Sequence, residues 1–150
     1  MKKNSNSGWE NDIFATKYNK LTVFTDGGAR GNPGMAACGW LFKENDTTII
    51  SYKKFLGKKT NNQAEYYGLY FALKSLEAFS VTKIVIFMDS ELIVKQVQGL
   101  YKVKKDSLKK IFQEIMIMLE KYVWSIQHIP RAQNKEADAL VNKCLDEEIY

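Results

Sequence analysis

The chain is poor in the residues that staple or cage small proteins. Its 150 residues include two cysteines, Cys38 and Cys144, and one histidine, His128. The cysteines stand far apart with no CxxC spacing, which excludes a disulfide framework and leaves no ligand set for zinc. No apolar run approaches the ~20 residues that a membrane-crossing helix needs. The opening stretch, MKKNSNSGWENDIFATKYNK, has basic residues without a continuous apolar segment behind them, so it does not read as a secretory signal. A reducing cytoplasm and no membrane partner are therefore expected. What remains is ordinary for one globular domain: 45% hydrophobic and 26% charged residues, enough to bury a core. A net charge of +5 favours a polyanionic partner.

Residues 1–20, rich in Asn, Ser and Lys, read as a flexible arm, with Trp9, Phe14 and Tyr18 able to tack it down; 21–150 read as the domain. LTVFTD (21–26) is a β-rich run ending on Asp26. After a glycine stretch, MAACGWLFKE and TTIISYKKFLG read as two more strands of an antiparallel meander. Thr60 and Gln63 form a capping-box pattern, and Leu69, Ala72, Leu73 and Leu76 continue it as the apolar stripe of a helix. KIVIFMD (83–89) is a buried strand, again ending on Asp. SELIVKQVQG is a short helix stopped by Gly99, DSLKKIFQEIMIMLEKY a long amphipathic one whose 111–119 Ile/Met stripe reads as core. VWSIQHIP is the last strand and NKEADALVNKCL the last helix. His128 alternates with Trp124 and Ile126, the setting of a structural histidine. The order β-β-β-α-β-α-α-β-α makes the fold α/β, with the first and fourth strands adjacent and parallel through a right-handed crossover.

Four carboxylates stand out. Asp26 and Asp89 end neighbouring strands, where open α/β sheets place their sites. Glu65 continues an apolar stripe, where a carboxylate needs a reason. Asp138 lies in the first turn of the last helix, whose N-terminus favours its ionised form. Four like charges in one place call for cations, and an all-oxygen donor set suits Mg²⁺, with Mn²⁺ as a substitute. Two such ions, roughly 3.5–4 Å apart, can drive phosphodiester hydrolysis. The glycine stretch TDGGARGNPG is not a phosphate-binding P-loop, because strand rather than helix follows and no Gly-Lys-Ser/Thr occurs. It reads instead as a tight turn at Gly27 and Gly28 that brings a nucleic-acid backbone close to Asp26.

TDGGARGNPG, TNNQAEYYGL, MDSELIVKQVQG and IPRAQNKEADAL together resemble the four signature blocks of type 1 ribonuclease H, in family order, over residues 21–145. The resemblance implies a ribonuclease H-like fold with a five-stranded mixed sheet flanked by helices. It also implies endonucleolytic hydrolysis of the RNA strand of RNA–DNA hybrids, leaving 5′-phosphomonoesters. Asp26, Glu65, Asp89 and Asp138 match the family's catalytic, metal-binding carboxylates, which hold two ions when substrate is bound. Asn32, Asn61 and Asn62 match positions that touch the hybrid's minor groove, where the 2′-OH marks RNA. Lys58 and Thr60 fall where the family holds a phosphate of the DNA strand; Ser90, Arg131 and Asn134 complete the expected substrate contacts. A monomer with no small-molecule cofactor is implied.

Two departures from the family pattern stand out. The glycine- and histidine-containing loop before the last carboxylate is shortened to IPRAQNKEA, and the basic, tryptophan-containing handle is reduced to GLYKVKKDSLKK. Both are features of the shorter archaeal and bacterial subgroup. Arg131 is the candidate to take over part of the missing histidine's role in proton transfer or product release. The lysines of the compact segment have two readings, a solvated face or a salt-dependent grip on nucleic acid. Two other functions remain open. One is a module that binds hybrid or double-stranded RNA without cutting it. The other is a nuclease of the wider superfamily acting on DNA.

Overall fold

The computed structural model describes residues 16–148. Trp9 and Phe14 lie outside them. Strands β1 (Lys17–Gly31), β2 (Gly34–Glu44) and β3 (Thr47–Lys59) form the antiparallel meander. Helix α1 (Asn61–Leu76) crosses to β4 (Ser80–Met88), helices α2 (Glu91–Val97) and α3 (Asp106–Leu119) follow, and β5 (Val123–His128) leads through a 3₁₀ turn (Arg131–Gln133) into α4 (Lys135–Glu148). The sheet order is β3-β2-β1-β4-β5, with β1–β4 and β4–β5 parallel. The expected adjacency of the first and fourth strands is therefore observed.

Alternation along β2 divides the core in two. Cys38, Trp40 and Phe42 join Leu69, Leu73, Ile84, Ile86 and Ile115 in the main cluster, beneath α1 to α3. Ala37 points the other way and packs with Val141, Cys144 and Leu145 of α4. Both cysteines are buried and free. α1 forms where its N-terminal box is satisfied: Gln63 N–H donates to Thr60 Oγ1 at 3.1 Å, and Thr60 N–H donates to Gln63 Oε1 at 2.9 Å. Leu69, Ala72, Leu73 and Leu76 are all buried, as their spacing predicts.

Three expectations need correction. β1 begins at Lys17, so residues 17–20 belong to the sheet rather than to an arm; they pair with Ser80–Lys83, and Tyr18 is buried. The glycine stretch is strand rather than turn: Asp26, Gly27 and Gly28 pair with Gly39, Cys38 and Ala37, and the chain reverses only at Asn32–Pro33, a cis peptide. Gly27 serves close packing instead, since a Cβ there would lie 2.1 Å from the Ala64 carbonyl oxygen of α1. Within α3, Ile111, Ile115 and Leu119 are core but Ile117 is 64% exposed, because helical periodicity turns it away from the sheet.

Candidate active site

The contact of α1 with β1 sets the site. Gly27 accepts the α1 backbone, and Gly68 answers from the helix, where a Cβ would lie 2.7 Å from the Asp26 carbonyl oxygen. With no side chain at either place, the start of α1 settles onto β1 and carries Glu65 to Asp26. Asp89 follows the last residue of β4, the strand parallel to β1, and Asp138 enters on the first turn of α4. All four carboxylates line one cleft of about 670 Å³.

Crowding in this cleft raises proton affinity. Asp26 is 5% exposed, and burial, then the charges of Asp89 and Glu65, push its pKa up to about 8 against the pull of the Gly27 N–H. That N–H donates to Asp26 Oδ1 at 2.9 Å. Glu65 rises to about 7, chiefly through burial and also through Asp89, opposed by a hydrogen bond from Ser90 and the charge of Arg131. Arg131 Nη2 stands 3.5 Å from Asp138 Oδ1, at the exposed rim. Among the described residues no three carboxylate, thiol or imidazole groups form a ready-made metal cage. The fit to a cation rests on chemistry: an oxygen-only donor set whose two most buried members resist ionisation until positive charge is supplied.

The other expected site residues divide by position. Gly28, Asn61, Asn62 and Arg131 line the cleft. Asn61 Oδ1 accepts from Ala29 N–H at 2.8 Å, and Asn61 N–H donates to Asn32 Oδ1 at 3.0 Å, so the β1–β2 turn is tied to the head of α1. Thr60 caps α1, and Lys58 is exposed near the end of β3; both stand outside the cleft wall. Ser90 is also outside the wall: its Oγ caps α2, accepting from Ile93 N–H at 3.3 Å. Asn134 is buried. His128 is exposed and does not line the cleft.

Two lining residues with polar side chains escaped the sequence reading. Arg30 reaches Asp146 at 2.7 Å, and Asn142 Nδ2 donates to the Asp138 backbone oxygen at 3.2 Å. Asn142 was legible in principle, since it lies four residues after Asp138 on the same helix face. Arg30 gave no such signal, because its place on the wall depends on β1 continuing through the glycines.

Comparison with known proteins agrees with this geometry. Residues 24–144 match the family described as reverse transcriptase-like. Ribonuclease HI of Halobacterium salinarum is 38% identical over 130 residues, covering 85% of this chain and 65% of that protein. A bifunctional protein of Mycobacterium tuberculosis is 36% identical, and the chain spans only 36% of it. Ribonuclease H of Ruthia magnifica is 30% identical with 97% of its length covered. Among solved structures, LC11-RNase H1 in complex with an RNA/DNA hybrid superposes with a TM-score of 0.83 at 39% identity, covering 87% of this chain and 99% of that one. With a family model over residues 24–144, a ribonuclease H covered over 97% of its length and a solved RNase H1 at a TM-score of 0.83, the chain belongs to the type 1 ribonuclease H family.

Proposed function

We infer that the chain is an endonuclease that hydrolyses the RNA strand of RNA–DNA hybrids. The observation that carries this reading is the convergence of Asp26, Glu65, Asp89 and Asp138 on one cleft, with Asp26 and Glu65 pushed toward neutral pKa values. The hybrid held by LC11-RNase H1 supports the substrate class. The four carboxylates would hold Mg²⁺ or Mn²⁺, whose chemistry when bound is to acidify a water and to neutralise charge on the leaving oxygen.

The chain's own groups prepare that site. The Gly27 N–H fixes one oxygen of Asp26, and Ser90 holds Glu65. Asn32 and Asn61 commit their carbonyl oxygens inside the protein, and among the described residues neither Nδ2 has a protein partner, so both amides are donors available to 2′-hydroxyls. The exposed Lys58 and Thr60 at the head of α1 are the candidates for a phosphate of the DNA strand. Arg131, exposed at the rim 3.5 Å from Asp138, is the candidate to ease product departure through its charge, since its guanidinium keeps its protons.

The test is cleavage of a labelled hybrid with Mg²⁺, with Mn²⁺ and with EDTA. RNA-strand cuts that require metal and vanish in Asp26→Asn are expected. Arg131→Ala should lower turnover about tenfold or more through loss of its charge; unchanged turnover removes that role. Tight binding with no cutting under either metal would leave a binding module.

A further inference from the structure

Asn134 lies within the polar block PRAQNKEA, where a solvent-facing substrate contact is the natural expectation, yet it is 1% exposed and absent from the cleft wall. Its two amide hydrogens are both spent. Nδ2 donates to the Thr25 backbone oxygen at 2.9 Å and to Asp89 Oδ2 at 3.1 Å. Its own backbone oxygen accepts from Asp138 N–H at 3.0 Å. One residue thus touches the strand position next to Asp26, the carboxylate of Asp89 and the first turn that carries Asp138. These are three of the four acidic positions, and they come from β1, from the end of β4 and from α4.

The amide makes a poor filler. Its Oδ1 is buried without a protein partner, a state that costs stability and that a leucine of similar size would avoid. Flipping the amide does not help, because Oδ1 would then face both the Thr25 oxygen and the Asp89 carboxylate. The side chain is therefore accounted for by its two donors. We propose that Asn134 is a positioning residue, which locks Asp89 in one orientation and sets the spacing of β1, β4 and α4 around the cation site. It does not contact substrate. Groups of this kind behind a metal ligand typically change affinity or activity by roughly 10–100-fold when removed.

The proposal rests on the nuclease reading for its kinetic arm but not for its metal arm. EDTA-stripped Asn134→Ala is titrated with Mn²⁺ by calorimetry, melted, and assayed for kcat and KM on hybrid. The expected result is Mn²⁺ affinity lower by about tenfold or more and kcat lower by a similar factor, with KM held within about twofold. Wild-type Mn²⁺ affinity and wild-type kcat overturn the proposal even if the melting temperature falls, since that pattern belongs to packing alone. A raised KM at wild-type kcat overturns it too, by assigning Asn134 to substrate. If the alanine chain does not fold, Asn134→Ser is read in the same way, because a single hydroxyl has only one hydrogen and cannot donate to both Thr25 and Asp89. A wild-type chain that binds Mn²⁺ without cutting hybrid sinks the nuclease reading and leaves the titration to decide on Asn134.

Discussion

Asp26 is nearly sealed from water and faces three other carboxylates, so its ionisation works against the fold whenever no cation is present. Its pKa moves from an ordinary 3.8 to about 8 in the folded chain. The folded state therefore holds a proton that the unfolded state releases near pH 4. Stability from this group is fully present below pH ~4 and is lost as pH rises toward 8, the reverse of a salt-bridged aspartate. Glu65, raised to about 7, adds to the same trend over its own window. In metal-free buffer the melting temperature should fall between pH 5 and pH 8, and Mn²⁺ should restore it. Asp26→Asn keeps an acceptor for the Gly27 N–H but carries no charge. It should melt about 3–6 °C above the wild type at pH 8, a gain of about 1–2 kcal/mol, while abolishing cleavage. Parallel pH slopes in wild type and variant would show that the crowding is not borne by Asp26.

At the scale of elements, the contact of α1 with β1 does more for the site than any single carboxylate, because it decides where Glu65 lands. Gly27→Ala inserts a methyl where the Ala64 carbonyl sits 2.1 Å away, and backbone cannot step aside as a flexible side chain can. A loss of about 2 kcal/mol or more is expected by thermal or urea unfolding. At Gly28 the nearest atom to an added Cβ is Val141 Cγ1 at 3.8 Å, so Gly28→Ala should change stability by less than about 1 kcal/mol. Equal effects at the two positions would refute the close-approach account. The same pair marks a limit of sequence reading. Capping at Thr60, the buried stripe of α1 and the four acidic blocks are local patterns, and all were legible. Whether a glycine serves a turn or the approach of a helix 37 residues further on depends on a partner that periodicity does not name. The burial of Asn134 was not legible for a related reason: it lies in a polar, mostly exposed segment, and only the docking of α4 beside β1 buries it.

Across the whole molecule, the distribution of charge matters more than the net +5. Several lysines stand beside acids, Lys43 with Glu136, Lys53 with Glu147, Lys109 with Asp106 and Lys121 with Glu77. Among the described residues Lys102, Lys104 and Lys105 have no such ion pair, and they line a groove of about 490 Å³ together with Leu92, Leu100 and Tyr101. Leu100 is 67% exposed and Tyr101 50%, an unusual outlay of apolar surface for a segment that only solvates itself. Asn62 belongs to both this groove and the carboxylate cleft, so the two adjoin there. A backbone gripped along this track would release counterions at each lysine, whereas a solvated face would release none. Replacing all three lysines with alanine should therefore reduce the slope of log KM for hybrid against log salt by about 2–3, roughly one for each lost contact, and leave kcat at saturating hybrid nearly unchanged. The chain with Lys53, Lys109 and Lys121 replaced by alanine carries the same charge change and should keep the wild-type slope. If both triple variants shift the slope equally, the groove has no special part and the basic charge acts only as a diffuse field.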